Sequence, residues 1–184
     1  MRILAISGSL RDGSTSTTLA RALAGLAPPG TEVVLFDGLA DVPPFDADQD
    51  QEGDMPPPAV AKLRTALTDA DAVVIVTPEY AFGVPGMLKN ALDWTVASGD
   101  FAGKPTAAIS SSPSDLGGDK AHAALLLTLR AMQSRLVSGG GLIVPVARKK
   151  LDGAGRLTDP ATIAAVRAML NELARIVARV APRA

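Results

Sequence analysis

Five short runs rich in branched apolar residues alternate with longer segments of helical periodicity, and that alternation points to a parallel α/β architecture. Arg2–Ser7 (RILAIS) reads as a first strand, and Ser16–Leu26 as a first helix with Leu19, Leu23 and Leu26 on one stripe. Thr31–Asp37 (TEVVLFD) reads as the second strand and Ala59–Thr68 as the second helix. Asp71–Thr77 (DAVVIVT) is almost continuously apolar, as a strand covered on both faces should be. Met87–Ala97, Pro105–Ser110, Lys120–Leu136 and Gly141–Val146 read as helix, strand, helix and strand. Asp159 suits an N-cap with Pro160 at the first helical position, and a last helix runs to about Val180. Parallel strands need right-handed crossovers. The expectation is one doubly wound domain over residues 1–184, with five parallel strands in order 2-1-3-4-5 and helices on both faces.

Length and composition agree and exclude several functions. A chain of 184 residues, 47% hydrophobic, suits one domain with a sizeable core. A net charge of −1 provides no basic attraction to nucleic acid or an anionic membrane. With no cysteine there is no disulfide, thiolate metal site or thiol nucleophile, and a single histidine excludes a polyhistidine metal site. The N-terminus enters a strand pattern at once, without a separate signal core. No apolar run approaches the roughly 18 residues of a membrane span. A cytoplasmic location is the expectation.

In such sheets ligands sit beyond the carboxyl ends of the strands, at the switch point between strands 1 and 3. Strand 1 is followed by Gly8-Ser9-Leu10-Arg11-Asp12-Gly13-Ser14-Thr15-Ser16-Thr17-Thr18, with two glycines, one arginine and six hydroxyls opening a helix. A helix N-terminus offers unpaired N–H groups and partial positive charge, hydroxyls add donors, and Arg11 adds a charged fork. A simple capped turn would need one Ser or Thr. The spacing mimics a phosphate-binding P-loop, but Ser14 stands where its lysine belongs, which argues against a nucleotide kinase. A monophosphate fits better. Strand 3 is followed by Thr77-Pro78-Glu79-Tyr80-Ala81-Phe82-Gly83-Val84-Pro85-Gly86, a backbone stiffened by proline. Tyr80 and Phe82 there suit either a planar ligand or packing on the protein or a second subunit.

GSLRDGSTSTTLA followed by TPEYAFGVPGMLKNALDW resembles the NADPH-dependent FMN reductase family, which includes chromate, quinone and azo-dye reductases. The likeness extends to SSSPSDLGG (Ser110–Gly118) after strand 4 and implies a flavodoxin-like fold. It implies that Ser9, Arg11, Ser14, Ser16 and Thr17 hold the FMN phosphate. Pro78, Glu79, Tyr80, Ala81 and Gly83 would line the isoalloxazine, largely through backbone groups. Ser112, Gly117 and Gly118 would lie along its other edge, and Tyr80 and Phe82 would face the substrate pocket. The family often has Asn at the positions of Ser16 and Ala81, so a phosphate donor is shorter here and an amide near the flavin is lost.

The implied activity passes hydride from NAD(P)H through flavin N5 to a quinone, free flavin, azo compound or metal oxyanion, without a side-chain acid or base. The alternative is a flavin-binding electron carrier or redox-responsive binding module with little turnover; a near-neutral charge argues against an acidic docking face. A homodimer or homotetramer is expected. His122 is read as solvated or capping, Trp94 as packing, and Lys89, Asn90 and Asp93 as capping or pairing residues. The acidic run Asp46–Asp54 and the polar insertion Ala147–Thr158 are read as surface segments, and Arg167, Arg175 and Arg179 as an exposed basic face.

Overall fold

A computed structural model describes residues 1–11, 13–51 and 53–180. The strands are β1 (Arg2–Ser7), β2 (Glu32–Phe36), β3 (Ala72–Thr77), β4 (Pro105–Ser111) and β5 (Arg135–Val144). The helices are α1 (Thr15–Ala22), α2 (Pro58–Thr68), α3 (Gly86–Asp93), α4 (Asp119–Ala131) and α5 (Pro160–Val180). The sheet order is β2-β1-β3-β4-β5 and every pairing is parallel.

Side chains of a strand point alternately to opposite faces, so each face of the sheet receives its own core. Leu4, Ile6, Val73, Ile75 and Ala108 pack with Leu63 and Leu67 of α2, Leu88 and Leu92 of α3, and Leu125 and Leu129 of α4. Ile3, Ala5, Val74, Val76 and Ile109 pack with Leu19 of α1 and Val166, Leu170 and Leu173 of α5. Every residue of β3 is buried, which explains its unbroken apolar run.

Two boundaries differ from the expectation for one reason. The fourth helix stops at Ala131 rather than Leu136, and β5 begins at Arg135 rather than Gly141. Gln133 takes φ 57° as the C′ residue of a Schellman ending. Its N–H reaches the Arg130 carbonyl, and the Ser134 N–H reaches that of Leu129, both at 2.9 Å. Glycine is the usual occupant of that position, so the stop leaves no familiar signature. The released residues Arg135 and Leu136 join β4 opposite Pro105 and Thr106, and the ladder is irregular before it resumes at Gly141. The strand ends at Val144, two residues before Val146, which itself adopts φ 49°. α3 ends at Asp93, short of Ala97, where the Thr95 hydroxyl donates to the Leu92 carbonyl.

Asp159 caps α5 as its sequence implies, accepting from the Thr162 N–H at 2.9 Å. Residues 147–158 form a short helical turn and a tight hairpin closed by Leu151 and Leu157. Within the acidic run, Asp50 is not solvated. Its side chain is 8% exposed and lies 2.6 Å from Arg64.

Candidate active site

The loops after β1, β3 and β4 meet at the carboxyl edge of the sheet. Gly8 extends the ladder, donating to the Val76 carbonyl at 2.8 Å. A Cβ at Gly8 would stand 2.8 Å from Leu88 and 3.0 Å from the Thr77 hydroxyl, so only glycine lets the first loop lie this close to β3. Beyond it, the Ser7 and Thr17 hydroxyls pair at 2.8 Å, and the Ser9 Oγ accepts from the Arg11 N–H at 3.3 Å.

Ser14 precedes α1 without making a side-chain cap, and the first turn holds no acidic residue. Among the described residues no carboxylate compensates the amino end of the helix dipole, as an anion-binding terminus requires. The Ser16 hydroxyl pairs at 2.8 Å with that of Ser111 at the end of β4. Two hydroxyls joined by one hydrogen bond retain one proton to donate elsewhere.

The loop after β3 is a two-residue reverse turn. Tyr80 and Gly83 exchange both backbone hydrogen bonds, at 3.1 and 3.0 Å, around Ala81 at φ 49° and Phe82 at φ 61°. Positive φ at both central positions defines a type I′ turn, normally made from Asn and Gly. Here the turn holds Tyr80 53% and Phe82 75% exposed. The Tyr80 hydroxyl lies 3.4 Å from the Ser9 Oγ and links this loop to the first.

In the loop after β4, the Ser112 and Ser114 hydroxyls pair at 3.0 Å, and Gly117 and Gly118 adopt φ 64° and 82° at the start of α4. A Cβ at Gly118 would lie 3.3 Å from that of Glu79, and one at Gly117 would clash with Ile143 at 2.5 Å. The Ser110 Oγ beneath this loop is buried and has no partner among the described residues.

Arg11, Ser14, Ser16, Pro78, Glu79, Tyr80 and Ser112 line one cavity of about 240 Å³. Ser9 and Thr17 line an adjoining cleft of about 320 Å³, and Arg11 borders both. Small-molecule sites usually span about 300–1,000 Å³. The larger of the two falls within that range, and Arg11 is a wall common to both. Ala81, Phe82 and Gly83 lie on the turn beyond Tyr80, while Gly117 and Gly118 form the turn into α4. Thr15, Ser111 and Pro113 also line the cavity and were not singled out from the sequence. Ser111 had a readable signal, since it stands in the serine run at the carboxyl end of β4.

Other residues have structural posts. Asn90 donates to the Pro43 carbonyl and accepts from the Phe45 N–H, at 2.8 and 2.7 Å, and the Trp94 indole reaches the same carbonyl at 2.9 Å. Lys89 pairs with Asp93 at 2.6 Å. Of the solvated or capping role expected for His122, the solvated alternative does not hold, because the residue is buried. Burial pushes its pKa below the ordinary value, and its Nδ1 has no partner among the described residues.

An uncapped helix start beside an arginine and several hydroxyls fits a phosphate ester. A cavity lined by Pro78, Glu79 and Tyr80 from one loop and by Ser112 and Pro113 from another fits the face and rim of a planar ring. This fold and this site define a flavodoxin-like flavin-binding domain.

The profile of the NADPH-dependent FMN reductase family matches residues 1–149. A quinone reductase of Escherichia coli K12 is 34% identical over 183 residues, covering 98% of this chain and 97% of that one. An NAD(P)H-dependent FMN reductase of Pseudomonas aeruginosa is 34% identical over 161 residues, covering 86% of this chain and 85% of that one. The solved structure of FerB, a flavoenzyme NAD(P)H:(acceptor) oxidoreductase from Paracoccus denitrificans, superimposes with a TM-score of 0.84 at 27% identity, covering 97% of each chain. This chain belongs to the NADPH-dependent FMN reductase family. It is an oxidoreductase with FMN as cofactor and NAD(P)H as co-substrate.

Proposed function

We propose that the chain reduces a small planar acceptor of the quinone class, with the FMN phosphate on the loop after β1 and the ring between the loops after β3 and β4. The observation that carries this reading is the uncapped amino end of α1 beside Arg11, bordered by the Tyr80 turn. FMN, when bound, supplies the hydride chemistry through N5, and the protein supplies binding, orientation and electrostatics. Arg11 and the hydroxyls of Ser9, Ser14, Ser16 and Thr17 anchor the phosphate. Pro78, Glu79, Tyr80, Ala81 and Gly83 present backbone to the ring, and Ser112, Gly117 and Gly118 border its far edge.

Tyr80 and Phe82 offer exposed faces on which nicotinamide and acceptor stack in turn. One face serving both partners gives ping-pong kinetics. Free flavins, azo compounds and metal oxyanions are further acceptors within this reading. A cytoplasmic location is part of it, and no helix among the described residues is long and apolar enough to cross a membrane.

A homodimer or homotetramer is part of this reading, with a second copy closing one side of the site and leaving the Tyr80 and Phe82 faces open to ligands. Light scattering at micromolar concentration tests the assembly, and a monomeric mass refutes it. The activity is tested by FMN fluorescence quenching and by steady-state NAD(P)H oxidation with a quinone. Absence of FMN affinity defeats the site assignment. FMN binding without turnover returns the chain to an electron carrier.

A further inference from the structure

We infer that the side chain of Glu79 is a positioning group: it clamps the loop after β3 to the amino end of α4 and thereby sets the spacing of the two walls proposed to hold the flavin ring. The inference rests on the reductase reading for its functional consequence and on geometry for the clamp. The Glu79 Oε2 accepts from the Ala121 backbone N–H at 2.9 Å, across 42 residues of sequence. Ala121 is the third residue of α4, so this bond satisfies one of the donors that every helix start leaves open.

α4 cannot cap itself. Its N-cap is Gly118, which has no side chain and takes φ 82°, a conformation costly for other residues. A Cβ there would also press to 3.3 Å of the Glu79 Cβ. The position that would ordinarily carry Ser or Asp is thus held to glycine by the close approach of Glu79, and Glu79 provides the acceptor instead. A carboxylate is also favoured at the positive end of the helix dipole.

The link matters for the site because Glu79 and Tyr80 line the cavity together with Ser112 and Pro113, which belong to the loop that runs through Gly117 and Gly118 into α4. The Tyr80 hydroxyl makes only a long 3.4 Å contact with the Ser9 Oγ of the first loop. A carboxylate engaged with a helix N–H serves as a brace rather than as a proton donor to substrate.

Three variants separate reach from charge. Glu79→Gln keeps an acceptor oxygen at the same reach and removes the charge. Glu79→Asp keeps the charge and falls one methylene short. Glu79→Ala removes both. FMN affinity of the apoprotein is titrated by fluorescence quenching, and amide hydrogen exchange of residues 119–122 is followed without FMN. The expected result is that Gln stays within about threefold of the parent, while Asp and Ala weaken FMN binding about tenfold or more and exchange faster at those amides. Rescue by Asp but not by Gln assigns the effect to charge and overturns the clamp. Parent-like affinity and exchange in all three variants also overturns it. A parent that fails to bind FMN defeats the reductase reading alone. The exchange pattern, with Gln protected and Asp not, still decides the clamp.

Discussion

The hydroxyls of Ser16 and Ser111 lie 2.8 Å apart in buried residues, joining the first turn of α1 to the last residue of β4. The bond fixes the amino end of α1 against the carboxyl end of β4. Removing one partner leaves the other hydroxyl buried and unpaired, which costs about 1–3 kcal/mol. Ser16→Ala and Ser111→Ala should each lower the unfolding free energy by about that amount. The double variant should lose less than the sum of the two, because nothing is then left unpaired. Urea denaturation of the four proteins gives the cycle, and strict additivity would count against a direct bond.

The turn at Tyr80–Gly83 stores strain. An L-residue in the left-handed region costs roughly 1–2 kcal/mol, and Ala81 has no polar side chain to offset it. Asn tolerates this conformation, so Ala81→Asn should raise the unfolding free energy by about 0.5–1 kcal/mol. Ala81→Val should lower it by more than that, because a β-branched residue is least suited to positive φ. Thermal and urea melts of both variants check the sign. A stabilised Val variant would show that the turn does not hold this geometry in solution.

Arg64 anchors the long segment between β2 and α2. Its Nη2 donates to Asp50 at 2.6 Å and to the Trp94 carbonyl at 2.5 Å, and its side chain is 18% exposed. Truncation would strand the Asp50 carboxylate, and breaking a largely buried pair costs about 3–5 kcal/mol. Arg64→Ala should therefore approach that loss. Asp50→Asn, which keeps an acceptor oxygen, should cost much less. Limited proteolysis within residues 38–57 should accelerate only in the Arg64 variant; equal resistance in both would show that the ion pair does not hold the segment.

Much of this architecture was legible because it follows from local periodicity. β3 is buried along its whole length, so its almost continuous apolar pattern identified a central strand, and Asp159-Pro160 marked a helix start that the structure retains. The serine-rich loop and the Pro-Glu-Tyr loop were legible as separate chemical requirements. What stayed hidden depends on partners distant in sequence. Asp50 looks like one acid in a hydrated run until Arg64 faces it. Glu79 looks like a rim residue until Ala121 presents its N–H. Gln133 ended a helix that its neighbours would have continued, since a left-handed glutamine has no sequence signature of its own.

His122 predicts a pH window. Burial lowers its folded pKa below the ordinary 6.5. Between the folded value and 6.5 the unfolded chain binds the extra proton, so stability rises with pH there. The stabilisation is complete above 6.5 and is lost as pH falls toward the folded pKa. Asp152, Asp159 and other exposed carboxylates with pKa values held below 3.8 act in a more acidic range. Chemical denaturation between pH 7 and 5 should show a decline that is absent in His122→Gln. An identical slope in that variant would assign the window to another group.

The two loops should separate by what their substitutions do. Arg11 borders both spaces, while Ser9 lines only the larger cleft. Hydrogen bonds to a charged group contribute about 1.5–3 kcal/mol each. Arg11→Ala and Ser9→Ala should therefore weaken FMN binding about tenfold to a hundredfold. Turnover should recover at saturating FMN, because the ring seat is untouched. Tyr80→Ala leaves the phosphate anchor in place and removes a face 53% exposed to incoming ligands. FMN affinity should fall less, while the NAD(P)H–quinone rate stays low even when FMN is saturating. The Ser9 to Tyr80 contact at 3.4 Å is long for two hydroxyls, so its loss should add little to either effect. Paired titrations of affinity and saturated rate decide the matter. Unchanged FMN affinity in Arg11→Ala would place the phosphate elsewhere and reverse the ligand's orientation in the site.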